Sequence, residues 1–285
     1  MTSPPAASIR TPAHVTEAAL AADADLERRF GGLRRLYGDA GYARLRGLRV
    51  AVVGLGGVGS WAVEALARSG VASLVLIDMD HVAESNINRQ IQALGATLGM
   101  SKGEALAQRV RDIHPGCALS LVDEFVEPGN WPGLLPGAVD AVIDACDQVR
   151  AKQALAAWGL RERIPLVCCG AAGGKRQAHK LDIDDLAAVT HDPLLASLRN
   201  RLRRENGAAP AGQGRIGIRC VFSRESVAQP EAGQCGANDG SLNCHGYGSS
   251  VTVTASFGMA AASEVIALCL PSDSTSQAQK VRDMI

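Results

Sequence analysis

The sequence has no surplus of either charge. Its 285 residues include 29 Lys and Arg residues and 29 Asp and Glu residues, so the formal net charge at pH 7 is zero. A global basic field of the kind that attracts nucleic acid is therefore absent, and any RNA contact has to come from a local basic patch. The sequence also lacks the charged and then apolar pattern of a signal peptide, and its eight cysteines form no secretory framework. We therefore expect reduced thiols and a cytoplasmic location.

The sequence contains no uninterrupted hydrophobic run of membrane-spanning length. Its most apolar stretch, from Val251 to Leu270, is broken by hydroxyl residues, a glycine and Glu264. A carboxylate inside hydrocarbon costs about 2.5 kcal/mol or more. We therefore predict a buried helix of a soluble fold at this stretch, and no membrane span.

The chain is organised around a strand, glycine turn, helix and strand between Leu48 and Asp78. The two apolar strands and the Ala-rich helix between them predict one right-handed βαβ unit. Glycines at the turn permit a tight bend and a close backbone approach, so that amides at the helix start can face a phosphate. These glycines are Gly54, Gly56, Gly57 and Gly59. Asp78 ends the second strand, where its carboxylate can bind a ribose; a tight turn without a ligand is the structural alternative.

Strand-like and helix-like segments alternate after this unit. The alternation predicts an α/β, Rossmann-like, doubly wound and mainly parallel sheet with an extended C-terminal portion. We divide the chain into a disordered tail (residues 1–24), a nucleotide-binding half with an arginine-rich arm (residues 25–174) and a C-terminal half for substrate or dimer contacts (residues 175–285). The tail is rich in Ala, Pro, Ser and Thr, a composition that does not support a core.

Polar residues follow the predicted strands at their carboxyl ends. Asn86, Arg89 and Lys102 place one amide and two cations on the side where open α/β sheets bind ligands, and two cations suit a triphosphate. Asp144 and Asp147 follow the fourth strand, and carboxylates there suit Mg²⁺ together with substrate phosphates. For Asp144, a helix cap is the structural alternative.

Basic residues are concentrated in three segments. Arginines are dense between Arg28 and Arg46, and one of them could complete a phosphate site on a neighbouring subunit, although a solvated helix face is the simpler explanation. The clusters from Lys175 to Lys180 and from Arg199 to Arg204 could contact an RNA backbone. Ordinary surface charge explains these two clusters equally well.

Taken together, these motifs resemble the ubiquitin-activating, adenylate-forming superfamily of ThiF, MoeB and HesA. The matching pieces are Gly54 to Gly59, Ile77 to Asp80, Ser85 to Gln90, Lys102, and Asp144 to Asp147. Other segments resemble the bacterial tRNA threonylcarbamoyladenosine dehydratase family within it. Those segments are Arg29 to Gly32, Arg35 to Gly38, Asp192 to Leu194, and Cys220 to Ser223.

The resemblance implies an enzyme that uses ATP and Mg²⁺ to activate a carboxylate as an acyl adenylate. In the dehydratase family this carboxylate belongs to threonylcarbamoylated adenosine in the tRNA anticodon loop, and ring closure expels AMP. The implied catalytic residues are Arg89, Lys102 and Asp147, with Asp147 also serving the metal. The implied nucleotide-binding residues, besides the glycines, are Asp78, Asp80, Asn86, Asp144, and Arg35 or Arg29 lent across a homodimer.

The sequence departs from the carrier-protein activators of this superfamily because it has no paired Cys-x-x-Cys motifs. The structural zinc of many relatives is therefore expected to be absent. Cys220 and Cys244 are the thiols of most interest, although an unreactive thiol is the simpler explanation for each. Two other functions remain open: activation of a ubiquitin-like sulfur carrier, and nicotinamide-dependent oxidoreduction. The second leaves the amide and two cations beyond the strands unexplained.

Overall fold

A computed structural model describes residues 25–228 and 247–270, so the predicted disordered tail lies outside the described residues. The strands are β1 (Arg49–Val53), β2 (Ser73–Ile77), β3 (Ala118–Val122), β4 (Ala141–Asp144), β5 (Leu166–Cys169), β6 (Leu181–Asp185) and β7 (Arg219–Ser223). The helices are α1 (Leu26–Phe30), α2 (Gly32–Arg46), α3 (Gly59–Arg68), α4 (Lys102–Ile113), α5 (Val149–Glu162), α6 (Pro193–Glu205) and α7 (Val251–Cys269).

The strands form one seven-stranded sheet in the order β3-β2-β1-β4-β5-β7-β6. Six of them run parallel, and only β6 pairs antiparallel, with β7 at one edge. The strand order reverses between β1 and β4, and in such sheets the reversal opens a crevice at the carboxyl ends of the strands. The predicted α/β, Rossmann-like, mainly parallel sheet is therefore confirmed.

Two of the predicted glycines are required by the turn after β1. Gly54 has φ of +84°, and a Cβ there would lie 2.9 Å from the backbone of Ala145, which follows β4. A Cβ on Gly59 would overlap the Gly54 carbonyl oxygen. Because only glycine avoids both conflicts, β1, α3 and the loop after β4 can approach one another closely.

Several helices begin at side chains that accept their free amide protons. The Ser101 hydroxyl accepts a hydrogen bond from the Glu104 amide at 3.2 Å, where α4 begins. Asp192 accepts from the Leu195 amide at 2.9 Å and is followed by Pro193 in the first turn of α6. These are favoured residues at a helix start, so the local sequence accounts for where α4 and α6 begin.

A hydrophobic core lies on each face of the sheet. One core includes Val50, Val52 and Leu66 and is covered by α3, α4 and α7; the other includes Val53 and Leu155 and is covered by α5 and α6. The near-continuous apolar character of β1 follows from this two-sided burial. The helices therefore cover both sheet faces and leave the strand ends to form a site.

Helix α7 packs one face against the start of α3. A Cβ on Gly258 would lie 2.8 Å from the Ala62 amide nitrogen, so the two helices come into close contact there. By length and composition alone α7 could cross a membrane, but 44% of that stretch is buried inside the molecule. The buried face of α7, which includes Val253, Phe257 and Ala261, belongs to the core as predicted, and the absence of a membrane span stays a prediction.

The predicted boundary at residue 174 falls between β5 and β6 of the same sheet. Both predicted halves therefore contribute strands to one sheet, in which β7 lies between β5 and β6. The assignment of residues 175–285 to substrate or dimer contacts stays a prediction.

Candidate active site

A cavity of about 450 Å³ opens at the carboxyl ends of the strands, where the strand order reverses. Its wall combines the glycine turn after β1 with the loops after β2, β4 and β5. Nine of the predicted site residues line it: Gly54, Gly56, Gly57, Asp78, Asp80, Asn86, Arg89, Lys102 and Asp147. The structure therefore brings together side chains that are far apart in sequence, including a carboxylate, an amide and two cations that can face a nucleotide.

Asp78 joins the end of β2 to the glycine turn. Its Oδ2 accepts a hydrogen bond from the Leu55 amide at 2.6 Å, and its Oδ1 accepts from the Asp80 amide at 2.8 Å. The residue is only 8% exposed and faces the cavity. A carboxylate has lone pairs for further donors, so these two bonds leave it able to accept from a ribose hydroxyl.

Lys102 is directed into the cavity from the first residue of α4. Its Nζ lies 2.6 Å from Asp80 Oδ2 and 3.9 Å from Asp78 Oδ2, and its side chain is 7% exposed. The partner carboxylate of Asp80 is 53% exposed, so the stronger of these two ion pairs can rearrange at little cost. Lys102 is therefore a cation held in place and able to bind phosphate.

Arg89 is held by its backbone more than by its guanidinium group. Its carbonyl oxygen accepts hydrogen bonds from the Trp61 indole at 3.0 Å and from the Thr254 hydroxyl at 3.5 Å. One guanidinium nitrogen donates to the Ser85 carbonyl and to Asn88 Oδ1, whereas the buried Nε has no protein partner. The guanidinium group therefore keeps donors for an anion.

Asn86 orders the loop that carries Arg89. Its Oδ1 accepts a hydrogen bond from the Ala83 amide at 3.0 Å, and the residue is 6% exposed. The side-chain NH₂ group makes no hydrogen bond to the residues described and lines the cavity. It is therefore available to a ligand as a neutral donor.

The two predicted metal carboxylates lie in different environments. Asp147 is exposed, lines the cavity and makes no hydrogen bond or ion pair with residues 25–228 or 247–270. Asp144 is fully buried below the cavity wall, where its Oδ1 lies 3.1 Å from Lys152 Nζ. Asp147 is thus the carboxylate that can reach a metal, and Asp144 lies behind it. In the described part of the chain, no cluster of three or more His, Cys, Asp or Glu side chains is placed to hold a metal on its own.

The thiols near the cavity are protonated. Burial raises the pKa of Cys146, Cys168 and Cys220 well above the ordinary value of a thiol, and the Asp144 charge raises the first two further. Burial also raises the pKa of Cys169 to about 12. A thiol is nucleophilic only as the thiolate, so the described thiols offer no nucleophile. Cys244 lies outside the described residues.

The two arginines expected to act across a dimer differ in their surroundings. Arg29 donates to the Asp112 and Ile113 carbonyl oxygens at 2.6 and 2.7 Å and so caps the end of α4. Arg35 is exposed on α2 and has no bonding partner in the described ranges. Neither lines the cavity. Of the two, Arg35 is free to reach a neighbouring molecule.

The basic clusters of the second half are only partly available to RNA. Lys175 is 2% exposed and donates to the carbonyl oxygens of His191, Ser223 and Glu225, so its predicted RNA contact is wrong. Burial opposes a charge at this position and lowers the Lys175 pKa. In α6, Arg199 donates to two backbone carbonyl oxygens and Arg203 to one. In these two clusters Arg176, Lys180 and Arg204 are exposed, and Arg201 is half-buried.

The family model described as "ThiF family" matches residues 29–284 of the chain. The chain belongs to the ThiF family. The matched region includes the glycine turn, Arg89, Lys102 and every described strand. The superfamily expected from the motifs is therefore confirmed.

Curated relatives carry the name of the dehydratase family. The chain is 42% identical to the tRNA threonylcarbamoyladenosine dehydratase of Escherichia coli strain K12, over 84% of this chain and 92% of that protein. It is 41% identical to the protein of the same name from Haemophilus influenzae, with the same coverage. The narrower resemblance stated from the sequence is therefore also confirmed.

Solved structures agree in fold over almost the whole chain. The Escherichia coli dehydratase TcdA in complex with ATP superposes with a TM-score of 0.78 at 40% identity, covering 90% of this chain and 98% of that one. The same protein in complex with AMP gives a TM-score of 0.77 at 41% identity, covering 86% and 96%. This ThiF-family chain thus shares the fold of an ATP-binding and AMP-binding relative.

The sequence reasoning missed two kinds of residue in this ThiF-family site. Trp61 and Thr254 hold the Arg89 carbonyl from different helices, and no local motif indicates such contacts. Lys152 could have been found from the sequence, because it is spaced three, four and seven residues from Leu155, Ala156 and Gly159, which form the buried face of α5. A lysine on an apolar helix face requires a buried partner, and that partner is Asp144.

Proposed function

We propose that this chain is an ATP-dependent tRNA threonylcarbamoyladenosine dehydratase. It activates the carboxylate of the threonylcarbamoyl group as an acyl adenylate, and closure of a ring then expels AMP. The observation that carries the proposal is the cavity at the strand reversal, which combines phosphate-binding and ribose-binding groups in a chain 42% identical to a named dehydratase. Forming an adenylate from ATP makes the chemistry ligase-like.

Activation requires two negatively charged groups to meet. A carboxylate oxygen attacks the α-phosphorus of ATP, and the bond to pyrophosphate breaks. Lys102 and Arg89 supply the positive charge that stabilises this transition state, because both residues line the cavity. Asp78 holds the ribose, and the glycine turn presents backbone amides to the phosphates.

Asp147 is the residue that would hold Mg²⁺. It is an exposed carboxylate on the cavity wall with no competing protein partner, and Mg²⁺ binds one or two carboxylates together with substrate phosphates. When bound, Mg²⁺ neutralises charge on the phosphates during transfer. Of the other carboxylates that line the cavity, Asp78 and Asp80 are engaged by backbone amides or by Lys102, and Glu124 is exposed on the loop after β3.

Ring closure needs no protein nucleophile. The described thiols near the cavity are protonated, so a covalent thioester of the kind formed by carrier-protein activators has no donor among them. The attacking nitrogen or oxygen belongs to the substrate itself, and proximity within one molecule supplies the rate enhancement. The same nucleophile displaces AMP as the carbon–oxygen bond of the adenylate breaks.

A homodimer in the cytoplasm is part of the proposal. Arg35 is exposed, free and outside the cavity of its own chain, as expected for an arginine that completes the site of a partner. The tRNA is contacted by the exposed basic groups that remain in the second half of the chain, mainly through phosphates. Lys175, which is buried, takes no part.

Incubation of the purified chain with ATP, Mg²⁺ and threonylcarbamoylated tRNA tests the function. Mass spectrometry of the digested nucleosides should show loss of one water from the modified adenosine, together with release of AMP and pyrophosphate. Unmodified tRNA is the matched control and should release no AMP. Pyrophosphate exchange that depends instead on a small carrier protein ending in Gly-Gly would favour the carrier-activating alternative and contradict the proposal.

A further inference from the structure

The most deeply buried charges of the site are Lys152 and Asp144. Both side chains are 0% exposed, and Lys152 Nζ lies 3.1 Å from Asp144 Oδ1. The ammonium group also donates to the Cys169 carbonyl oxygen at 2.8 Å and to the Asp144 carbonyl oxygen at 3.4 Å. Its three protons therefore all have acceptors, and those acceptors are the last residues of β4 and β5.

The Asp144 carboxylate collects further donors from both strands. Its Oδ1 accepts from the Cys146 amide at 3.2 Å and from the Cys146 thiol at 2.9 Å. Its Oδ2 accepts from the Cys168 thiol at 2.9 Å. One ion pair thus connects α5, the ends of β4 and β5, and the first turn of the loop after β4.

Stability alone does not account for this pair. Taking two charges out of water costs several kcal/mol per ion, and an apolar pair of similar volume is often as stable or more stable. The thiols of Cys146, Cys168 and Cys169 lie near Lys152, and Leu155 and Ala156 share its buried face of α5; none of these groups is charged in the folded chain. An apolar pair would therefore suit the environment, and the ion pair indicates another role.

The position of the pair suggests what that role is. The two loops that leave β4 and β5 form part of the cavity wall, through residues 145–148 and 170–173, and the first of them lies against the glycine turn. The first loop carries Asp147, and the second reaches the start of α6, where the Ala171 amide donates to Asp192. The spacing of the strand ends therefore sets the position of the Asp147 carboxylate relative to the bound nucleotide.

We infer that Asp144 and Lys152 are positioning residues, whose buried ion pair fixes the loops after β4 and β5 so that Asp147 and the substrate carboxylate meet the α-phosphate of ATP. This inference rests on the proposed function. It also revises the expected role of Asp144: it has no exposed surface and is outside the cavity wall, so it acts through Asp147.

The test compares the unmodified chain with the double variant Asp144→Asn, Lys152→Met, which removes both charges with little change in volume. We expect an unfolding midpoint and KM for ATP close to those of the unmodified chain, but a fall of at least tenfold in kcat, since a displacement of about 1 Å in an active site can cost about 100-fold. Amide hydrogen exchange should become faster in residues 145–148 and 170–173.

Leu155→Ala is the matched control. It opens a cavity one turn further along α5, so it should lower the unfolding midpoint while leaving kcat and exchange in the two loops near the unmodified values. If the double variant does not fold, Lys152→Met alone is measured: the Asp144 carboxyl keeps the Cys146 amide and two thiols as donors, and we expect the same loss of kcat and faster loop exchange together with a lower unfolding midpoint.

Two results would overturn the inference. One is a kcat within twofold of the unmodified chain in a folded variant, and the other is a loss of kcat without faster exchange in the loops. If the unmodified chain fails to act on modified tRNA, the proposed function fails. In that case the hydrogen exchange comparison still decides whether the ion pair holds the loops.

Discussion

Replacing Asp78 with alanine should separate the two tasks of this carboxylate. The loss of a charged hydrogen bond to the ribose should weaken ATP binding by about 1.5 to 3 kcal/mol, or roughly 10- to 150-fold in Kd. The Leu55 and Asp80 amides, now 2.6 and 2.8 Å from the carboxylate oxygens, lose their acceptor. A buried donor left unpaired costs about 1 to 3 kcal/mol. Because water in the cavity can replace part of this loss, we expect the free energy of unfolding to fall by about 2 kcal/mol for the two amides together.

Titration calorimetry with ATP, at a temperature where the variant is folded, measures the first effect, and urea unfolding measures the second. Asp182→Ala is the control, because Asp182 pairs with Arg224 on the edge strand β6, away from the cavity. It should leave ATP affinity unchanged. An Asp78→Ala protein that is folded and binds ATP within twofold of the unmodified chain would refute the reasoning.

Three further predictions concern other residues. Asp147→Asn and Arg89→Ala should each abolish adenylate formation with an unchanged circular dichroism spectrum, and full activity in either removes that residue from the mechanism. Arg201→Glu with Arg204→Glu should weaken tRNA binding and reduce its log-log salt slope by about 0.7 to 0.9 per lost phosphate contact; an unchanged slope excludes this helix. Burial and the Arg46 charge lower the His114 pKa to about 4. The free energy of unfolding should therefore fall as the pH is lowered from 6.5 to 4, and this fall should be much smaller in His114→Gln.

The sign of the His114 effect follows from proton linkage. The unfolded chain binds a proton at the ordinary histidine pKa of about 6.5, whereas the folded chain binds it only near pH 4. Between these values the unfolded state carries more protons, so stability is lost as the pH falls. Above pH 6.5 the ring is neutral in both states and contributes no pH dependence.

Helix starts and strand faces could be predicted because each depends on residues that are neighbours in the sequence. The helix starts at Ser101 and Asp192 follow from capping chemistry, and the two-residue period of a strand places the neighbouring Cys168 and Cys169 on opposite faces of the sheet. The structure places Cys168 in one core and Cys169 in the other. The cavity residues after β1 and β2 were located for the same reason: they follow recognisable strand ends.

Contacts between distant segments were not predictable in this way. No sequence period indicates that β7 inserts between β5 and β6, because that choice depends on which faces the connecting segments can bury. Lys175 looked like one member of a surface cluster, and only the convergence of three carbonyl oxygens explains its burial. Asp144 likewise resembled Asp147 in sequence, and its different role depends on a lysine about one turn into the next helix.

The contacts between α7 and the loop carrying Arg89 have a consequence for synthesis of the protein. Helix α7 follows every described strand in the chain, yet Thr254 contacts the Arg89 carbonyl and Ser249 accepts a hydrogen bond from Asn88. Because the chain is synthesised from its N-terminus, Ser249 and Thr254 leave the ribosome after the whole of the loop that they contact. A nascent chain that ends before Ser249 therefore lacks two of the contacts that hold the loop carrying Arg89, and the hydrogen bond from the Trp61 indole remains.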